Sequence, residues 1–187
     1  MTKTNSIEAL FEGCKAGNRQ SQEKLYQLVS STMFGLCQRY ANDRAEAEDI
    51  LQTGFVKVFK NIHSFKQTGP FEAWVRRIMV NTAIESYRRR KRMFQLTDLD
   101  EELEESIPAP TENQLEYEDL ISLIRKLPEG YRMVFNMYAI EGYSHREIAE
   151  TMRITESTSK SQLLRARDWL KKRITNIDNE VYESRQG

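Results

Sequence analysis

The chain has 187 residues, of which 39% are hydrophobic and 30% charged, and its 28 basic side chains balance its 28 acidic ones. So little apolar material argues against one large core. The longest uncharged stretch, residues 25–38, is too short and too polar to span a bilayer, and the first 13 residues lack the pattern of a signal peptide. Cys14 and Cys37 have no metal-ligand spacing, so we expect buried thiols in a cytoplasmic protein without membrane insertion.

The zero net charge conceals three blocks of different sign. Residues 1–95 carry 16 basic and 9 acidic side chains, residues 96–120 carry 10 acidic and no basic ones, and residues 121–187 carry 12 basic and 9 acidic ones. Two basic ends around an acidic middle are typical of a chain whose ends face a polyanion. A protein with one acidic loop explains the blocks equally well.

Helical periodicity of the apolar residues predicts helices over residues 7–16, 25–40 and 44–60, with Ser6 and Ser21 as N-caps of the first two. The third helix buries one face, and its opposite face is polar. That opposite face carries Asp49, Gln52, Thr53 and Val56.

A long helix is predicted to begin at Phe71 and to end in the basic run that finishes at Arg92. At 100° per residue, basic, amide and aromatic side chains fall on one stripe of this helix. The stripe consists of Trp74, Arg77, Asn81 and Arg88. Such a mixture can follow phosphates and stack on exposed bases. Alternatively, the basic residues only complement the helix dipole and keep the surface hydrated.

The acidic, proline-containing stretch over residues 95–113 predicts an extended linker and therefore a domain boundary. After it, Pro128 opens a helix that ends near Gly142, and Ser144 with Glu147 forms a capping box for a short helix. Thr155 can cap a longer helix with a basic outer side. This order predicts a helix-turn-helix, although a plain three-helix bundle remains the alternative.

One group of motifs is AEDILQ at 47–52 with Phe55, FEAWVRRI at 71–78, and YRRR at 87–90. A second group is LPEGYRMVF at 127–135, EGYS at 141–144, EIA at 147–149, and KSQLLRAR at 160–167. The two groups resemble, in this order, the second and fourth conserved regions of extracytoplasmic-function (ECF) sigma factors, group 4 of the bacterial RNA polymerase sigma factors.

The resemblance implies an all-α fold of two small helical domains joined by an extended acidic linker. Its parts would be region 2 at 1–94, the linker at 95–113, region 4 with the helix-turn-helix at 114–175, and a polar tail at 176–187. It implies a specificity subunit of RNA polymerase with no catalytic residue, cofactor or metal. Its partners would be the clamp and flap of core polymerase, promoter DNA and an anti-sigma factor.

The resemblance also implies roles for individual residues. Polymerase binding falls to Asp49, Gln52, Thr53 and Val56. Contacts with the minus-10 element fall to Asn61, His63, Phe65, Lys66, Phe71, Trp74, Arg77, Asn81, Arg88 and Arg89. Contacts with the minus-35 element fall to Ser157, Thr158, Lys160, Ser161, Arg165, Arg167 and Lys171.

The chain departs from the family pattern at three places. Thr53-Gly54 replaces an acidic and a small β-branched residue, Arg153 stands where a turn glycine is usual, and Ser159 replaces an apolar anchor of the recognition helix. A polar residue at the Ser159 position predicts weaker packing of that helix. One hypothesis is relaxed upstream targeting, or targeting by another DNA-bound partner; sequence drift is the alternative.

Two other classes of function compete with this interpretation. An enzyme would need convergent ligands, whereas the acidic cluster at 98–105 lies in the predicted linker and His63 and His145 lack ligand spacing, as expected of surface or loop residues. A one-component regulator would use only the helix-turn-helix. It would leave the basic and aromatic stripe around Trp74 without a role.

Overall fold

The computed structural model describes residues 3–66, 68–95 and 117–184. In this part of the chain all regular structure is helical, which confirms the all-α fold. The α-helices are α1 (Lys3–Lys15), α2 (Arg19–Tyr40), α3 (Arg44–Lys60), α4 (Phe71–Gln95), α5 (Tyr117–Arg125), α6 (Glu129–Phe135), α7 (His145–Met152) and α8 (Glu156–Ser184). The chain divides into two compact units, residues 1–86 and 87–187. Apart from Gln95, the predicted linker lies outside the described residues.

The first unit is built on α2 and α3, which pack against each other, with α1 against α2. Helix α3 has the predicted bounds because Asp43 caps it, with its carboxylate accepting the Glu46 N–H at 2.8 Å. The predicted caps of the other two helices are wrong. Helix α1 begins at Lys3, so Ser6 lies inside it, and Asn18 caps α2 by accepting the Ser21 N–H at 3.0 Å.

Both cysteines of the first unit are buried free thiols, as predicted. Burial raises the pKa of the Cys14 thiol, and it raises the pKa of Cys37 to about 12. Since the thiolate is the reactive form, both side chains serve as small apolar core residues.

The second unit closes around α5, α6 and α8. Its core includes Leu123 and Ile124 of α5, Leu127 after it, and Ala166 and Leu170 of α8. Helix α5 was not predicted, although these leucines and Ile124 have helical spacing, because the segment adjoins the acidic block. Burying this apolar stripe stabilises α5 against the rest of the unit.

The predicted boundaries around the helix-turn-helix are confirmed. Helix α6 continues as a π-helical turn, Asn136–Ile140, and Gly142 follows with φ of 77°. The capping box of Ser144 and Glu147 then starts α7. Helix α8 extends to Ser184, and so includes residues 176–184 of the expected tail. No helix of the described part of the chain is long and apolar enough to cross a membrane.

Candidate nucleic-acid interface

An aromatic cluster joins the loop after α3 to the start of α4. The ring centroids of Phe65, Phe71 and Trp74 lie 5.4–5.7 Å from one another. Phe11 of α1 packs against this cluster, with its ring centroid 5.0 Å from that of Phe65 and 5.1 Å from that of Phe71. The cluster holds the loop against the start of α4. The rings of Phe65, Phe71 and Trp74 also keep part of their surface in solvent, so they offer aromatic surface to a ligand.

The polar residues predicted for the same surface differ in exposure. The exposed ones are Asn61, His63, Lys66, Arg77 and Arg89, and the half-buried ones are Asn81 and Arg88. The Asn61 amide donates to the Lys57 carbonyl at 2.8 Å, so this side chain also ends α3.

The last turns of α4 belong to the second unit. There, Arg88 Nη1 lies 3.5 Å from the Thr151 carbonyl, and Arg90 pairs with Glu129 at 2.7 Å. Arg89 points into solvent instead. Of the basic run, Arg89 is therefore better placed than Arg88 for a phosphate contact.

The four residues predicted on the outer face of α3 are all exposed. They are Asp49, Gln52, Thr53 and Val56. Val56 has 53% of its surface exposed, and Leu28 of the neighbouring α2 has 59%. Val56 thus adds exposed apolar surface to an otherwise polar helix face.

The turn between α7 and α8 is made by Arg153, which has a left-handed conformation (φ 57°, ψ 48°). The Ile154 N–H returns to the Ala149 carbonyl at 3.1 Å, as in a Schellman ending. The backbone thus keeps the conformation that glycine favours, even though arginine occupies the position. Thr155 caps α8 as predicted, accepting the Thr158 N–H at 3.0 Å.

Helix α8 exposes nearly all the residues predicted to face DNA. The exposed ones are Ser157, Lys160, Ser161, Arg165, Arg167 and Lys171, whereas Thr158 is half-buried. Leu164 is 61% exposed on the same helix and was missed by the sequence analysis. Its spacing from Lys160 and Ser161 was the available signal, since residues three and four apart share a face.

Ser159 is completely buried, yet its hydroxyl has a partner, because Oγ lies 2.9 Å from His145 Nδ1. The imidazole stacks on Tyr138, with 4.5 Å between centroids and 21° between planes. The expected penalty for a polar residue here therefore does not arise. The placement of His145 as a surface or loop residue is also wrong: it is the half-buried first residue of α7.

Burial lowers the pKa of His145, with a further lowering from the charge of Lys160. The neutral imidazole is thus the favoured form at this contact. Within the described residues, no group of three or more His, Cys, Asp or Glu side chains could hold a metal ion.

Comparisons with known proteins match segments in both halves of the chain. The family model for Sigma-70 region 2 matches residues 25–93, and that for Sigma-70 region 4 matches residues 117–170, together about two thirds of the chain. The ECF RNA polymerase sigma-E factor of Haemophilus influenzae is 28% identical, with 93% of this chain and 98% of the relative covered. The chain belongs to the ECF sigma factors.

Two further relatives have the same sequence identity to this sigma factor but different lengths. SigW of Bacillus subtilis is 28% identical over 91% of this chain and 98% of its own. SigE of Mycolicibacterium smegmatis is also 28% identical, over 88% of this chain, but the chain spans only 65% of that longer relative.

A solved structure supports the fold of this sigma factor. The sigma factor RpoE in complex with the anti-sigma factor NepR from Bartonella quintana superposes with a TM-score of 0.53 at 22% identity, covering 82% of this chain and 96% of RpoE. The match to region 2 occupies the half of the chain that a one-component regulator would use as a sensor, so that alternative is not favoured.

Proposed function

We propose that this ECF sigma factor binds core RNA polymerase in the cytoplasm, recognises promoter DNA and promotes transcription initiation. The observation that supports the proposal is that one chain carries two surfaces whose side chains suit nucleic acid in different ways. The first unit has aromatic rings beside basic side chains, and the second has a helix-turn-helix with an exposed polar recognition helix. The first surface suits the unpaired bases of single-stranded DNA, and the second suits the major groove of double-stranded DNA.

The first surface, in region 2 (residues 1–94), would hold the minus-10 element. Exposed Arg77 would contact phosphates, and Trp74 and Phe65 would stack on bases. Exposed Arg89, in the last turns of α4, would make a separate phosphate contact. Taking a base out of the stack costs a few kcal/mol, so its pocket must be shaped in advance. Phe65 in the loop after α3 supports this role, because its ring is already held against Phe71 and Phe11.

The second surface, in region 4 (residues 114–175), would read the minus-35 element with the first turns of α8 in the major groove. Lys160 and Ser161 would face base edges, and Arg165 with Lys171 would contact phosphates. Exposed Leu164 adds an apolar group that suits a thymine methyl. Region 4 would also meet the polymerase flap.

The outer face of α3 would dock on the clamp of the largest polymerase subunit, with Val56 as the apolar centre and Asp49 at its rim. The acidic linker, residues 95–113, would follow a basic route on the polymerase because carboxylates imitate a phosphate chain. An anti-sigma factor, implied by the family, would cover these same faces.

The test is binding to core polymerase followed by transcription in vitro from candidate promoters. Two exposed apolar residues offer matched variants. Val56→Asp should abolish capture of core polymerase, whereas Leu164→Asp should retain capture and lose upstream DNA binding. A wild-type chain that binds duplex DNA alone and never binds core polymerase would overturn the proposal in favour of a one-component regulator.

A further inference from the structure

We propose that His145 is a positioning residue: with Ser159 it forms a polar pin that fixes the recognition helix and thereby sets base discrimination at the minus-35 element. The pin is the hydrogen-bonded pair of His145 Nδ1 and Ser159 Oγ, 2.9 Å apart. This inference rests on the proposed reading of DNA by α8.

The pin joins the two helices of the helix-turn-helix where α8 would meet the bases. His145 is the first residue of α7, and Ser159 is the fourth residue of α8. Ser159 is flanked by Thr158 and Lys160, which are proposed to face DNA. Any displacement of Ser159 is therefore passed directly to the reading residues.

A hydrogen bond restricts α8 more narrowly than an apolar contact would. Its strength depends on both distance and angle, so it specifies the rotation of α8 about its own axis. Since consecutive helical residues are 100° apart, even a modest rotation moves Lys160 and Ser161 away from their base edges. An apolar anchor has no comparable dependence on angle, because the hydrophobic effect is non-directional.

The two residues also depend on each other. A buried hydroxyl without a partner destabilises the fold, so Ser159 is tolerated because His145 is present. The imidazole is itself held in place by stacking on Tyr138 of the π-helical turn. The guanidinium carbon of Arg167 lies 5.8 Å from the centroid of the Tyr138 ring. This contact connects the pin to another residue predicted to contact DNA.

Three variants of the full chain, each bound to core polymerase, separate the parts of the pin. Ser159→Ala removes the hydroxyl with almost no change in volume. His145→Phe keeps a ring on Tyr138 and removes the hydrogen bond, whereas His145→Asn removes the ring and keeps an amide that can reach Ser159. Each complex is incubated with a promoter library randomised in the minus-35 element and, separately, with one randomised in the minus-10 element.

In the minus-35 library, Ser159→Ala and His145→Phe should each reduce the enrichment of the best sequences over the mean about three- to tenfold, as expected for one hydrogen bond. His145→Asn should recover much of this enrichment. The minus-10 enrichment should stay unchanged. The double variant, which combines Ser159→Ala with His145→Phe, should be no worse than the poorer single variant.

The inference is overturned if the single variants keep the wild-type minus-35 enrichment or if their effects add. It is also overturned if both libraries lose enrichment in parallel with a lower unfolding midpoint, because that pattern indicates a purely structural role. Failure of the proposed function has a different signature: the wild-type complex itself would show no minus-35 enrichment, or would not form.

Discussion

Gly54 of α3 faces Met79 of α4 with no room for a methyl group between them. A Cβ at Gly54 would overlap Met79 Sδ and would lie 2.9 Å from Cε. Met79 is completely buried, so its thioether cannot move into solvent. The departure from the family pattern at this position thus corresponds to a close approach of two helices.

Gly54→Ala should therefore destabilise the protein. Overpacking of a core costs about 1–3 kcal/mol, against a gain in helix propensity of about 1 kcal/mol. We expect a net loss of about 1 kcal/mol in the free energy of unfolding, measured in urea. Gly35→Ala in α2 is the control, because a Cβ there meets nothing within 4 Å and should raise stability. Equal stability of the two variants would contradict the prediction.

Arg153→Gly should stabilise the helix-turn-helix. A left-handed conformation costs an L-residue about 1–2 kcal/mol, part of which glycine loses again through its greater freedom in the unfolded chain. The comparison is with Arg153→Ala, which also removes the charge but keeps the Cβ. Glycine should be more stable than alanine by about 1 kcal/mol in urea unfolding. A more stable alanine variant would show that the turn relaxes out of the left-handed region.

Local signals account for the parts of the fold that the sequence predicted correctly. Asp43 and Asn61 bound α3 through bonds to residues within four positions, and Ser144 with Glu147 does the same for α7. Cap choice failed where two candidates stood close together, since Asn18 precedes Ser21 and takes the role. Capping preference alone does not rank asparagine and serine.

Contacts between distant residues were beyond the reach of the sequence. A serine at position 159 suggested an unpaired polar group in the core. Its hydrogen-bond partner, His145, lies 14 positions away on another helix, so the sequence did not reveal the bond. Phe65, Phe71 and Trp74 were each predicted for the minus-10 surface, but their packing as one cluster depends on the path of the loop. Packing decides which side chains of different helices meet, and the periodicity of a sequence carries no information about that packing.

Glu129→Gln should destabilise the second unit. Its Oε1 lies 2.7 Å from Arg90 Nη2 and 3.7 Å from Nη2 of Arg132, which is 3% exposed. Burial lowers the pKa of Arg132 to about 10, and the charge of Glu129 opposes that shift. Removing the carboxylate should cost about 1–3 kcal/mol of unfolding free energy. The control is Glu150→Gln, because the ion pair of Glu150 with Arg146 is exposed. This variant should lose less than about 0.5 kcal/mol of unfolding free energy. A similar loss in both variants would contradict the prediction.

Arg89→Ala should weaken promoter binding by the polymerase complex and make it less dependent on salt. Each lost phosphate contact lowers the slope of log affinity against log salt by about 0.7–0.9. The matched control is Arg19→Ala, since Arg19 is also exposed but lies at the start of α2, outside the proposed DNA surface. An unchanged slope for Arg89→Ala would mean that the basic run only hydrates the end of α4.

The stability of the second unit should fall as the pH decreases below about 6.5, because the fold lowers the pKa of His145. Burial is the main cause, Lys160 and Arg167 add to it, and Glu156 opposes it. A depressed pKa means that the fold favours the neutral imidazole, so this stability is complete above the ordinary value of 6.5 and is lost as the pH falls through the folded value. Urea midpoints between pH 7.5 and 5 should therefore decrease more in the wild type than in His145→Asn. Identical pH profiles for the wild type and His145→Asn would contradict the prediction.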